Sequence, residues 1–295
     1  MLSIIITSFK EPNTIGKAID SFLQQKTNID YELIVSAPDK ETQEIVEIYA
    51  KKYNQVRLFK DPGKGKSYAL NLLLPKVRGD IIILSDGDVY IGENSIVPIL
   101  NEFKDENVGC VTGKPVSSDS RKNKFGYWSH LLCHAAHRLR LKKARKNEFI
   151  ECSGYLWAFK NGIIDKFPKG AAEDTIIPVL FYLKGFKVKY ATQSKVYVKF
   201  PTNFEDFLEQ KNRTAKGHES LYKYVDITKV PRMKTFRNEF IGGFELFKFP
   251  KNIKEFWWTF LLFPLRLYTW TSVFYQTKVK KEEYKDGWKR IESTK

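Results

Sequence analysis

Apolar runs and helical spacing alternate over the first hundred residues. Leu2–Thr7 is a β-branched run, and Ser8–Asn13 after it is polar. Ile15, Ala18, Ile19, Phe22 and Leu23 then recur at the three-to-four spacing of an amphipathic helix. Tyr31–Val35 reads as a second strand, Glu41–Lys52 as a helix with Ile45, Val46, Ile48 and Tyr49 on one side, and Val56–Phe59 as a third strand. Ser67–Leu74 reads as helical. Ile81–Leu84 is almost wholly apolar, as a strand buried on both faces of a parallel sheet must be. This βαβαβ order predicts an α/β fold with a mixed, mainly parallel Rossmann-like sheet flanked by helices and right-handed crossovers. Ligands in such sheets collect beyond the carboxyl ends of the strands. Thr7–Glu11, Ser36–Asp39 and Ser85–Asp88 are therefore the stretches to inspect.

Further along the pattern is more mixed. Val108–Thr112 predicts a strand, Asn123–Lys146 a basic helix, Phe149–Phe159 a strand or loop pair, and Val188–Tyr190 and Lys195–Phe200 two short strands. From Phe204 the spacing is helical. No repeat or low-complexity linker divides the chain, so residues 1–230 read as one α/β unit. Residues 231–295 read as a helical, membrane-associated region. There Phe236, Phe240, Ile241, Phe244 and Phe247 recur beside Lys234, Arg237 and Lys248, the pattern of an interfacial amphipathic helix. A surface helix packed on the core fits the same pattern. Phe256–Tyr275 approaches the ~20 residues needed to span a bilayer and carries Trp257, Trp258 and Trp270. Arg266 sits in its middle behind Pro264, at a cost of roughly 2.5–3.5 kcal/mol for a centred arginine. The expectation is a helix lying in the interface or dipping into one leaflet; a full span and a soluble core helix are the alternatives. Lys278, Lys280, Lys281, Lys285 and Lys289 follow and suit an anionic surface.

Composition narrows the class. At 42% hydrophobic and 28% charged, 295 residues form a folded domain with an ample core, not a disordered tail or a polytopic membrane protein. Fifty Lys and Arg against 34 Asp and Glu leave a formal charge of +16. That charge attracts nucleic acid, anionic lipid or phosphorylated small molecules. A nucleic-acid face would interleave aromatic and basic residues, whereas here the densest aromatics form one apolar run. No nucleic-acid partner is expected on that ground. Cys110, Cys133 and Cys152 form no CxxC pair, and a reducing compartment is the expectation. The Ile4–Ile6 run is too short for a signal peptide.

Four segments carry candidate chemistry. Ser85-Asp86-Gly87-Asp88 releases two carboxylates from the end of a buried strand. Hard divalent cations take one or two such carboxylates together with substrate phosphates. Asp88 is the candidate ligand, Asp86 the group for a nucleotide sugar or the metal's waters, and Gly87 the residue that allows a sharp turn. Asp61-Pro62-Gly63-Lys64-Gly65-Lys66-Ser67 suits phosphate contact before a helix. One residue between its glycines, where a P-loop needs four before Gly-Lys-Ser, excludes a P-loop NTPase. Glu173-Asp174 offers a general base, and Gln210-Lys211-Asn212-Arg213 an amide and a guanidinium for a diphosphate. Both also fit helix termini without chemistry. His130, Cys133, His134 and His137 share a helix at a spacing that matches no standard zinc site.

Taken in order, these segments resemble the inverting family-2 glycosyltransferases with the GT-A fold, from Leu2 to about Gly217. Ile4–Phe9 with Glu11 resembles that family's first strand and nucleotide-contacting loop. Gly63-Lys64-Gly65-Lys66 with Ala69 and Asn71 resembles its GKxxAxN segment, and Asp86-Gly87-Asp88 its DxD. Val111-Thr112-Gly113 resembles the strand that follows. Cys152-Ser153-Gly154, Glu173-Asp174 and Gln210–Arg213 resemble the acceptor-side, ED and QxxRW segments of membrane-associated cellulose and hyaluronan synthase-like enzymes. Gly287-Trp288 resembles the ending of prokaryotic members. The resemblance implies a UDP- or GDP-sugar donor contacted by Thr7, Phe9, Glu11, Asp39, Lys66, Asp86, Gln210 and Arg213. It implies Mg²⁺ or Mn²⁺ on Asp88, and a lipid-linked or glycan acceptor activated by Asp174 beside Glu173. It places the chain at the cytoplasmic face of the cell membrane. Asp39 is the one acid in Ser36–Asp39, where the family binds the base. Thr214 replaces the QxxRW tryptophan, which favours transfer of one sugar over a processive polysaccharide synthase.

Overall fold

The computed structural model describes residues 1–231, 233, 243–280 and 292–294. Its first half follows the expected alternation: β1 (Leu2–Thr7), α1 (Ile15–Leu23), β2 (Tyr31–Ala37), α2 (Lys40–Lys52), β3 (Val56–Lys60), α3 (Lys66–Leu73) and β4 (Ile81–Asp86). Then come β5 (Tyr90–Ile91), α4 (Ile96–Glu102), β6 (Val108–Ser117), α5 (Lys124–Arg145), β7 (Leu156–Lys160) and α6 (Glu173–Leu183). β8 (Lys187–Val198), α7 (Phe204–Glu219) and α8 (Ile253–Phe274) complete the elements used below. The sheet has eight strands in the order β3-β2-β1-β4-β7-β6-β8-β5. β3, β2, β1 and β4 are mutually parallel; β7 runs antiparallel between β4 and β6, and β5 antiparallel to β8.

Both faces of the sheet are covered, which is why its strands read as unbroken apolar runs. Successive side chains point to opposite faces. Leu2, Ile4 and Ile6 of β1, Leu33 and Val35 of β2 and Ile83 of β4 join a core with Ile15, Ile19 and Phe22 of α1. Ile5, Ile34, Ile82 and Leu84 join the opposite core with Leu70, Leu73, Ile176 and Phe181. A third cluster sets Tyr127, Trp128 and Leu131 of α5 against Phe207 of α7 and Leu262 and Leu265 of α8.

Three expectations change. β8 is one strand, not two. Its pairing with β6 slips between Tyr190 and Lys195, so Ala191–Ser194 break the alternation without ending the strand. Phe149–Phe159 contributes only β7. Neither α4 nor α6 was expected; α6 is buried nearly all round and carries Pro178 inside it. Among the described residues no helix is long and apolar enough to cross a membrane. Of the interfacial stretch, Phe236, Phe240 and Ile241 lie outside the described residues, as do Lys281, Lys285, Gly287, Trp288 and Lys289.

Candidate functional site

β1 and β4 are adjacent and in register, so Thr7 and Asp86 end side by side. Thr7 Oγ1 donates to Asp86 Oδ1 at 3.1 Å. Lys66, the first residue of α3, donates to the same oxygen at 2.7 Å and meets Glu173 Oε1 at 2.6 Å. Burial disfavours the Lys66 ammonium, but Asp86 and Glu173 outweigh it and hold its pKa well above the ordinary lysine value. In this arrangement Lys66 bridges these two carboxylates on the cleft wall.

The glycines before Lys66 explain the turn. Gly63 and Gly65 have φ of 73° and 105°, a region that favours glycine, and Gly65 caps α3. Asn71 then holds the chain leading to α6: its Nδ2 donates to Phe167 O at 2.9 Å, and Phe167 N donates to its Oδ1 at 2.7 Å. The GKxxAxN segment thereby sets where Glu173 and Asp174 begin their helix, whose amino end favours carboxylates. Gly87 is required for a reason other than a sharp turn. Its backbone is not left-handed, but a Cβ there would overlap Ser8 and Glu11. Ser8 Oγ donates to Glu11 Oε2 at 2.7 Å, so the loop after β1 is packed directly on the DxD turn.

Asp174 reaches the turn between Cys152 and Tyr155. A Cβ at Gly154 would stand 3.1 Å from Asp174 Oδ2, so glycine keeps the carboxylate's approach open. Gln210 and Arg213 lie one turn apart on α7. Thr7, Phe9, Glu11, Lys66, Asp86, Asp88, Glu173, Asp174, Gln210 and Arg213 all line one cleft of about 1600 Å³.

Tyr155 also lines that cleft, and no sequence signal marked it. Burial raises its phenol pKa far above the tyrosine value; Cys133, Asp88 and Asp86 add to the rise and Arg213 opposes it. The phenol is thus within electrostatic reach of both the DxD turn and α7. Asp39 stands apart from the cleft lining. It caps α2, accepting from Thr42 N at 2.9 Å, and also accepts from Lys10 N at 2.7 Å. Burial opposes its ionisation, yet these donors hold its pKa below the ordinary value. Asp39 shapes the Lys10–Glu11 loop in this arrangement. The histidines are dispersed in role. His130 Nε2 pairs with Asp119 O at 2.8 Å, the His134 ring lies against Phe249, and His137 Nδ1 pairs with Tyr190 OH at 2.8 Å. Among the described residues no group of three His, Cys, Asp or Glu could hold a metal. The cysteines are free and buried.

The donor chemistry at the DxD turn fits a hard divalent cation that keeps most of its coordination for phosphates. Asp88 supplies one carboxylate on the cleft wall, two residues beyond an Asp86 already balanced by Lys66.

The family described as "Glycosyltransferase like family 2" matches residues 1–217. The chain belongs to that family. The probable glycosyltransferase YdaM of Bacillus subtilis (strain 168) is 24% identical over 234 residues, which are 74% of this chain and 55% of that protein. Beta-monoglucosyldiacylglycerol synthase of Nostoc sp. is 26% identical over 135 residues, 43% of this chain and 28% of that enzyme. The chain thus spans about half the length of the first relative and less of the second. Among solved structures, mannosyltransferase PcManGT from Pyrobaculum calidifontis, in complex with GDP-Man and Mn²⁺, superposes with a TM-score of 0.62 at 16% identity. That likeness covers 94% of this chain and 75% of PcManGT, and it shows a shared GT-A fold.

Proposed function

We propose that this chain moves one sugar, with inversion, from a UDP- or GDP-sugar to a hydroxyl of a membrane-linked acceptor. A polyprenyl- or dolichyl-linked glycan or lipid is the acceptor class, and the cytoplasmic face of the cell membrane the location. The observation that carries the reading is convergence: the DxD turn, the start of α6 and the Gln210–Arg213 turn of α7 border a single cleft. Family membership supports the reaction class. The name of the Nostoc relative supports a lipid acceptor, and the ligands of PcManGT support a nucleotide-sugar donor.

The donor lies across the carboxyl ends of β1 and β4, against Thr7, Phe9 and Glu11. Asp88 would hold Mg²⁺ or Mn²⁺, which supplies positive charge to the diphosphate as a Lewis acid. Arg213 and Gln210 offset and orient the same diphosphate from α7. Asp174 accepts the proton of the acceptor hydroxyl as its oxygen attacks the anomeric carbon. The bond from that carbon to the diphosphate oxygen breaks, its electron pair leaves with the diphosphate, and attack from the opposite face inverts the centre. Glu173, held by Lys66, fixes the start of α6.

The test is a donor screen against membrane lipid extract, reading nucleoside diphosphate release with Mg²⁺, Mn²⁺ or chelator. One UDP- or GDP-sugar is expected to give acceptor-dependent release that chelator and Asp88→Asn each abolish. Release from no donor, or release indifferent to both metal and Asp88, would refute the reading.

A further inference from the structure

The cleft is larger than a nucleotide sugar requires. It continues past the carboxylates between the second half of α5 and the inner side of α8. α5 passes the acceptor-side turn at Arg140, whose guanidinium donates to Glu151 O and Cys152 O. On either side of that point it presents Arg138, Lys142 and Arg145 to the cleft. They sit at i, i+4 and i+7, one stripe of the helix.

Among the described residues these cations have few acids beside them. Arg138 meets Glu245 only at 3.9 Å, and Glu148 is taken by Lys143 at 2.9 Å. Lys142 and Arg145 form no ion pair among the described residues. Cations in the last turn of a helix complement its dipole. That explanation does not reach Arg138, two turns earlier, nor Arg266, which lines the same arm from the middle of another helix. The histidines on this side register the excess charge. Burial, and after it Arg138 and Lys114, hold His134 below its ordinary value. Between the cations the wall is apolar: Leu262, Phe263, Leu267 and Trp270 line it. Leu267 is also 53% exposed, so the apolar strip continues outward from the cleft.

We propose that this arm is an acceptor subsite for a lipid phosphate: Arg138, Lys142 and Arg145, with Arg266 across from them, hold the phosphate, and the hydrocarbon chain lies along Phe263, Leu267 and Trp270. The inference rests on the transferase reading above and adds to it an anionic group on the acceptor. Guanidinium groups match phosphate oxygens in pairs, and an apolar strip that opens outward suits a chain anchored elsewhere. An uncharged glycolipid would offer Lys142 and Arg145 no counter-charge.

Equilibrium binding to the full chain tests this with geranyl phosphate, geraniol and inorganic phosphate as probes. Geranyl phosphate is expected to bind at least tenfold tighter than either of the others. The double variant Lys142→Gln/Arg145→Gln, on exposed positions, and separately Arg266→Gln, are expected to erase that preference while UDP or GDP affinity stays within twofold. Equal binding of geraniol, equal binding of inorganic phosphate, or full preference retained in both variants would each overturn the subsite. So would variants that lose only phosphatidylglycerol vesicle binding and keep geranyl phosphate affinity, because the cations would then serve the bulk membrane. If the wild-type chain binds neither UDP nor GDP, the transferase reading fails and this inference with it; if it binds one of them and shows no phosphate preference, the subsite alone fails.

Discussion

Lys66 determines which acid remains for chemistry. Its ammonium touches Asp86 and Glu173, so both carboxylates are balanced in place, while Asp174 points to the Gly154 turn. Asp174→Asn keeps the shape and removes the base. Sugar transfer is expected to fall by about 10²–10⁴, with donor affinity within a few-fold, measured by paired turnover and binding assays. Activity near wild type would take the base role from Asp174. Lys66→Met leaves the buried Glu173 and its neighbour Asp86 without a cation. Breaking such a pair costs about 3 kcal/mol or more, readable as a lower urea midpoint. An unchanged midpoint would show that the bridge does not hold these two carboxylates in place. The carboxylates themselves were legible, since acids at strand and helix ends in a set order leave a chemical trace. The bridge was not, because nothing along the chain says that Lys66 will meet Glu173. For Asp39, an acid at a strand end and an acid before a helix are the same letter, and here one oxygen caps α2 through Thr42 N while the other accepts from Lys10 N.

Helix α8 buries polar groups beside Leu262, Leu265 and Val273 and turns large apolar side chains outward. Glu255, Thr259 and Thr269 are buried, whereas Trp257, Phe260, Leu267 and Tyr268 are more than half exposed. The inward face is anchored by named bonds. Arg121 donates to both oxygens of Glu255 at 2.7 and 2.8 Å, Tyr127 OH lies 2.5 Å from Thr259 Oγ1, and Trp128 Nε1 donates to Trp258 O at 2.6 Å. The Arg121 hydrogen bonds outweigh burial and hold Glu255 below the ordinary value of 4.5. A depressed folded pKa stabilises above the unfolded value and is lost as pH falls through the folded one. α8 should therefore undock as the pH falls below about 4.5, followed by the fluorescence of Trp258 and Trp128. Arg121→Ala should cost about 3–5 kcal/mol by leaving Glu255 buried without its guanidinium, with α8 loosened already at neutral pH. An unchanged stability would mean that water serves Glu255 equally well. The sequence marked this helix by its aromatic run and central arginine, but not which side faces inward. The polar anchors Arg121 and Tyr127 belong to a segment far away in the chain. The same limit hid α6, where burial on every side erases the periodicity that a half-exposed helix would show.

At the scale of the molecule, the proposed membrane seating draws on the +16 charge and the outward face of α8 together. An apolar aromatic surface bordered by Lys251, Lys254 and Lys280 fits a helix seated in the headgroup zone of an anionic bilayer, not one crossing it. Each lysine near such a surface contributes about 1 kcal/mol, screened over roughly 10 Å at 0.1 M salt. The inner side of the same helix lines the cleft through Phe263, Arg266 and Trp270, so seating α8 would bring the cleft mouth to the lipid. The expected outcome is binding to vesicles containing phosphatidylglycerol and at least tenfold weaker binding to phosphatidylcholine alone, read by co-sedimentation. Salt should weaken the anionic component, and Trp257→Ser/Phe260→Ser should weaken the remainder at little cost in stability, since both side chains are about half exposed or more. Turnover on a lipid-borne acceptor should fall with vesicle binding in that variant, while turnover on a detergent-dispersed acceptor stays constant. A variant that leaves the vesicles yet keeps its lipid-borne turnover would separate membrane seating from acceptor access, and the cleft would then have to be reached from water.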